Sequence, residues 1–175
     1  MKTKALVLAT LLTAAGAGSA FAVAPASPKP ETRVSVIFVE PQKFTDVKYD
    51  SWGENSPDLL DQIQRYMSTT GADYVPANLR LEIKVTDIRL AGEFEPWRGP
   101  SFDDVRIIRS IYPPCIKLEF RLTDAKGSVV KEGKRVISDT AFQLRDPWPR
   151  NDYLRYEKDM LRGWFRTEFG NLRKS

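Results

Sequence analysis

Leu79, Leu81, Ile83 and Val85 alternate with Arg80, Glu82, Lys84 and Thr86, and Ile116, Leu118, Phe120 and Leu122 repeat the alternation further on. A strand of period two buries one face and wets the other. The chain must therefore build a sheet with a single oily face, and something must cover it. Two segments have the right form. Ser56-Pro57-Asp58 is a helix start: a capping serine, a proline at the first helical position and an acid at the positive end of the dipole. Leu59, Leu60, Ile63, Tyr66 and Met67 then fall on one face, and the helix closes at Gly71 or runs a further turn to Val75 before Pro76. The second helix opens at Asn151-Asp152 and reaches about Phe169, with Tyr153, Leu154, Tyr156, Met160, Leu161, Trp164, Phe165 and Phe169 over a wide apolar arc and Gly170 as its stop.

The remaining strands follow from pattern and turn chemistry. Val34–Val39 is a β-branched and aromatic run, expected to be a first strand buried on both faces. The parity shift to Ile88 and Leu90 predicts a bulge near Thr86-Asp87. Asp124-Ala125-Lys126-Gly127 is a turn, which makes Val129–Ser138 the returning strand of a hairpin. Val105–Ile111 fits either a further strand or a short helix. The order β-α-β-β-β-α predicts a single two-layer α+β domain over residues 33–175, an antiparallel or mixed sheet with two helices on one face.

Ahead of it, Lys2 and Lys4, an apolar run from Ala5 to about Ala15 and small residues ending in Ala20-Phe21-Ala22 have the form of a cleavable secretory signal over residues 1–22. The cut is expected after Ala22, or two residues later after Ala24. The apolar run is well short of the ~20 residues that span a bilayer. Residues 23–32, rich in Ala, Pro and Ser, read as a tether. A lipid anchor needs a cysteine directly after the cut, and the one cysteine is Cys115. The expected product is periplasmic or secreted, not lipid-anchored, with no membrane span after cleavage.

The composition closes several chemistries. The chain has no histidine, which removes Ser-His-Asp and Cys-His mechanisms and the usual zinc ligands; no metal or cofactor pattern is found. The 27 Lys and Arg against 23 Asp and Glu become 25 against 23 once Lys2 and Lys4 are lost. Acids and bases are interleaved, so no basic stripe for nucleic acid is expected. A single cysteine forms no internal disulfide, and Cys115, leading into an alternating segment, is expected to be a small buried strand residue.

Two stretches fit no plain element. The polar connection after the first strand carries Phe44, Tyr49 and Trp52, either as a lid or as cover for the sheet edge. The second runs from Ala91 to Arg106 and packs acids, aromatics and arginines among glycine and proline. Phe44-Thr45-Asp46-Val47, the run Ala91-Gly92-Glu93-Phe94-Glu95-Pro96-Trp97-Arg98-Gly99-Pro100, Asp103-Asp104-Val105-Arg106-Ile107, Ile111-Tyr112-Pro113-Pro114 and Leu154-Arg155-Tyr156-Glu157-Lys158 together resemble the exported bacterial proteins sharing the domain of unknown function 3016. The resemblance covers nearly the whole chain after the tether and implies a shared fold and export, with no reaction attached.

Three uses of the second stretch compete. Phe94, Trp97 and Phe102 can form an apolar platform while Arg98, Arg106 and Arg109 hold an anionic or sugar-like group. Two of Glu93, Glu95, Asp103 and Asp104 can form an acid/base pair of the glycoside-hydrolase kind. Or the same residues form an internal network of ion pairs and rings that pins a long loop. A calcium site from these carboxylates lacks the regular spacing of an EF-hand loop. The leading expectation is a non-enzymatic envelope binding or interaction protein with no catalytic residues. Its ligand-binding candidates are Glu93, Glu95, Trp97, Arg98, Asp103, Asp104, Arg106 and Arg109, and its partner is an envelope protein or an anionic or sugar-like ligand. The rival is a small carboxylate-dependent hydrolase of envelope polysaccharide.

Overall fold

The structure, a computed structural model, describes residues 33–46, 56–100, 105–147 and 149–172. The expected signal, the tether, Tyr49 and Trp52, Phe102, and Asp103 and Asp104 lie outside the described residues. Eight elements follow in chain order: β1 (Val34–Phe38), α1 (Ser56–Tyr74), β2 (Leu79–Arg89), β3 (Glu93–Phe94), β4 (Arg106–Ile107), β5 (Cys115–Asp124), β6 (Val129–Ser138) and α2 (Arg155–Phe169). The main sheet has the order β1-β2-β5-β6, with β1 parallel to β2 and the other pairs antiparallel. It is the mixed sheet of an α+β domain.

Register explains the core. Leu81 faces Leu122, Ile83 faces Phe120 and Val85 faces Leu118, so one side of the central pair is continuous hydrocarbon. Val34 and Val36 extend it across β1. Leu59, Ile63 and Met67 of α1 and Leu161, Trp164, Phe165 and Phe169 of α2 close over this side in one buried cluster. Gly71 lies inside α1, which runs on to Tyr74: a Cβ there would stand 3.0 Å from the Phe165 ring and 3.1 Å from Val34 Cγ1, so the missing side chain lets both helices and β1 meet.

The opposite side carries a charge ladder. Glu82 faces Arg121, Lys84 faces Glu119, and those two face Glu132 and Lys134 of β6. Alternating signs across these neighbouring strands set each of these three bases opposite an acid.

Some expectations are corrected. β1 is an edge strand with only Val34 and Val36 buried, while Ser35 and Ile37 face outward; a short β-branched run has no periodicity to separate one buried face from two. Cys115 is half-buried because it has the parity opposite to Ile116. Regular α2 starts at Arg155, after a turn in which Asp152 Oδ1 accepts the Leu154 N–H at 2.9 Å. Of Val105–Ile111 only Arg106–Ile107 is a strand, paired with Glu93–Phe94. The bulge falls between Val85 and Asp87, as the parity shift requires.

Candidate functional site

Past the bulge β2 stays paired with β5 to Arg89, and the chain then leaves the sheet in an excursion over residues 90–114 before β5. Leu90 and Ala91 are buried where strand pairing has ended, so their N–H groups need other partners. Side chains remote in sequence supply them. Asp46 Oδ2 accepts the Leu90 N–H at 2.6 Å, and Glu157 Oε1, from α2, accepts that of Ala91 at 2.6 Å. Arg106 Nη1 donates to the Gly92 carbonyl at 2.5 Å while its Nη2 lies 3.1 Å from Asp46 Oδ1. The same guanidinium sits 4.9 Å from the centre of the Phe94 ring.

Gly92 turns the chain at φ +86°. A Cβ there would stand 2.8 Å from the Ile107 carbonyl oxygen, so the β3–β4 pair closes only over glycine. Glu157 is 1% exposed. Burial pushes its carboxyl above the ordinary range, the Ala91 N–H and Arg106 pull it down, and Asp46 adds to the rise.

The loop from β1 is tied to the same end of the sheet. Phe44 is fully buried and meets Phe38 edge-on. Thr45 donates its N–H and hydroxyl to Asp87 Oδ1 at 2.8 and 3.0 Å, and Lys117 Nζ donates to Asp87 Oδ2 at 2.9 Å. Partial burial works to raise the Asp87 carboxyl, but these bonds outweigh it and hold it below its ordinary value.

Above this floor stands a second tier centred on Glu95, 1% exposed. Arg98 Nε lies 2.7 Å from Oε2, an ionic contact outside hydrogen-bond geometry, and Arg109 Nη1 lies 3.4 Å from Oε1. The Tyr112 hydroxyl donates to Oε1 at 3.1 Å. Burial and then this bond to a carboxylate push the Tyr112 phenol up. Pro96–Arg98 forms a 3-10 turn, closed by the Arg98 N–H on the Glu95 carbonyl at 3.1 Å. Trp97 occupies this turn at 72% exposure, with Arg98 and Arg109 partly exposed and Ile108 and Ile111 also open to solvent.

The candidates thus separate. Glu95 and Arg106 are buried in ion pairs, and Phe94 is half-buried with the Arg106 guanidinium over its ring. Glu93 is half-buried, and its Oε1 accepts the Phe94 N–H at 3.1 Å. Arg98 and Arg109 come together at Glu95, and Trp97 adjoins Arg98 on the same turn. Asp103 and Asp104 fall outside the described residues. Among the described residues no three of Asp, Glu and Cys converge as a metal site would require, and no helix is long and apolar enough to cross a membrane.

Sequence reading missed Asp46, Tyr112 and Glu157. Glu157 had a signal: it lies three residues after Leu154 and four before Leu161, inside the apolar arc, where an acid must be paired or neutral. Nothing local links Asp46 to Arg106, and its one signal is its place in the Phe44-Thr45-Asp46-Val47 run that carries the resemblance.

The fold and this pinned excursion define a two-layer α+β domain carrying a braced loop at one end of its sheet. Over residues 32–167 the chain matches the family described as protein of unknown function (DUF3016), and it belongs to that family. No curated protein and no solved structure matches it.

Proposed function

We propose that this is an exported envelope protein that works by binding, through the crown of the loop from Glu93 to Arg109, and not by catalysis. One observation carries the reading: Trp97 stands 72% exposed on a turn anchored by a carboxylate that is 1% exposed. A large exposed ring on a braced turn loses little conformational freedom when a partner covers it, and Trp and Arg are the side chains that most often anchor interfaces. Arg98 and Arg109, both drawn to the Glu95 that anchors this turn, carry planar groups suited to carboxylate, phosphate or sugar oxygens. The partner is an envelope protein or an anionic or sugar-like ligand.

Acid/base catalysis needs a carboxyl within reach of substrate. Glu95 is enclosed by two arginines and a tyrosine, and Glu157 is held under Ala91, which argues against the polysaccharide-hydrolase alternative. Export rests on the leading segment, and a periplasmic product whose mass begins at Val23 or Pro25 is expected; an intact Met1 in the cytosol contradicts it.

The binding claim is tested by placing a photo-crosslinking side chain at position 97 in living cells, with Leu144, also exposed, as control. A defined envelope component captured from 97 but not 144, and lost when Arg98 and Arg109 become alanine, is expected. Equal capture from both positions rejects the loop as the site. Turnover of cell-wall polysaccharide that disappears in Glu93→Gln rejects the non-catalytic reading.

A further inference from the structure

A second surface lies at the other side of the sheet, away from β1. β6 is ten residues long and pairs only with β5; among the described residues no strand covers its outer edge. An uncovered edge presents a row of N–H and C=O groups ready to pair with another strand. Edges that resist pairing are short, bulged, interrupted by proline or lined with free charges, lysine above all. This one has its irregularity at the start, between Val129 and Lys131, keeps continuous register with β5 from Lys131 to Ser138 and has no proline; its Lys131, Glu132, Lys134 and Arg135 are each held in ion pairs within the domain, and Val136 is 69% exposed.

A groove of about 570 Å³ runs between this strand and α2. Four consecutive β6 residues, Arg135 to Ser138, line it. Successive strand side chains point to opposite faces, so a groove touched by all four reaches the backbone edge itself. On the helix side the lining includes Arg162, Gly163 and Arg166. A Cβ at Gly163 would meet nothing within 4 Å. Glycine within a helix is disfavoured relative to alanine, and among the described residues no packing contact requires it at 163; its effect is to widen the groove.

The charges in the groove have a definite surplus. Glu168 is taken by Arg135, in two hydrogen bonds of 2.9 and 2.8 Å, and by Lys131 at 2.8 Å. Asp139 and Asp159 are both taken by Arg145. Arg162 and Arg166, one helical turn apart on the α2 wall, are paired with none of these three carboxylates. We infer that the β6 edge and this groove take up an extended acidic segment of a partner protein, its backbone added as a fifth strand beside β6 and its carboxylates facing Arg162 and Arg166.

Fluorescent eight-residue peptides alternating Thr with Glu, their Thr-Lys counterparts, and a Thr-Glu peptide N-methylated at every second residue make the test. Fluorescence anisotropy should show the Glu peptide binding and the Lys peptide not. N-methylation and the double variant Arg162→Glu with Arg166→Glu should each weaken binding by about tenfold or more, with circular dichroism confirming that the variant is folded. Equal binding of the N-methylated peptide means adhesion by charge alone and overturns strand addition. No binding of the Glu peptide overturns the proposal outright. A dimer in sedimentation velocity that Val136→Lys dissolves assigns the edge to a second copy and also overturns it.

Discussion

Two regions of this domain are held together by different means. Between helices and sheet, Phe120, Trp164, Phe165 and Phe169 pack ring against ring with centroids 4.7 to 6.1 Å apart. At the base of the excursion, Asp46, Arg106 and Glu157 grip three successive residues by name and direction. Hydrocarbon burial is non-directional and supplies most of the stability. A buried ion pair adds little net stability because desolvation offsets attraction, but its hydrogen bonds fix where a backbone lies. The core makes the domain stable; the polar base sets the position of the loop.

Breaking the first region should have the largest effect. Phe165→Ala is expected to destabilise the domain by about 3–5 kcal/mol, read from urea denaturation, because a ring at the centre of the cluster leaves a cavity. Asp46→Asn should cost about 1–3 kcal/mol: the amide oxygen can still accept the Leu90 N–H, but Arg106 loses its counter-charge. Its local signature should exceed its global one, with amides of residues 90–92 losing more protection than those of α2.

Glu157 sharpens the contrast through pH. Its carboxyl in the folded state lies above its ordinary value of 4.5, so the folded protein binds that proton more tightly than the unfolded chain. The associated stability is present below 4.5 and is lost as pH rises through the folded-state value. Glu157→Gln, which retains an acceptor for Ala91, should lose that part of the pH dependence in denaturation midpoints measured from pH 4 to 8. Asp87 and Glu168, both held low, act in the opposite sense: their stability is present above their ordinary values and is lost as pH falls through the folded-state ones. The smallest effect belongs to the crown, where Trp97→Ala should change stability by no more than about 0.5 kcal/mol while removing the proposed binding.

The legible parts of the sequence were those whose cause is local. The alternation of Leu79 to Val85, the parity shift before Ile88 and the turn at Asp124 to Gly127 fix strands, bulge and hairpin through residues that are neighbours. β1 differs from its expected burial on both faces because so short a β-branched run looks alike at an edge and in the middle of a sheet. The mixture of residues marks the loop as unusual, but the fate of each charge is not legible in it. Whether Glu95 faces a ligand or Arg109, and whether Arg106 reaches outward or back to Asp46, depends on contacts made across 14 and 60 positions of chain. Glu157 is the exception, since its place among apolar helical neighbours already required a buried partner.

The buried acids Asp46 and Glu157 hold the start of the loop rigid. Native-state hydrogen exchange at the Leu90 and Ala91 amides measures it. Both should exchange only through global unfolding in the wild-type protein, and through a cheaper local opening in Asp46→Ala or Glu157→Ala. Wild-type amides that exchange as fast as those of the exposed turn at Lys126 and Gly127 would contradict it.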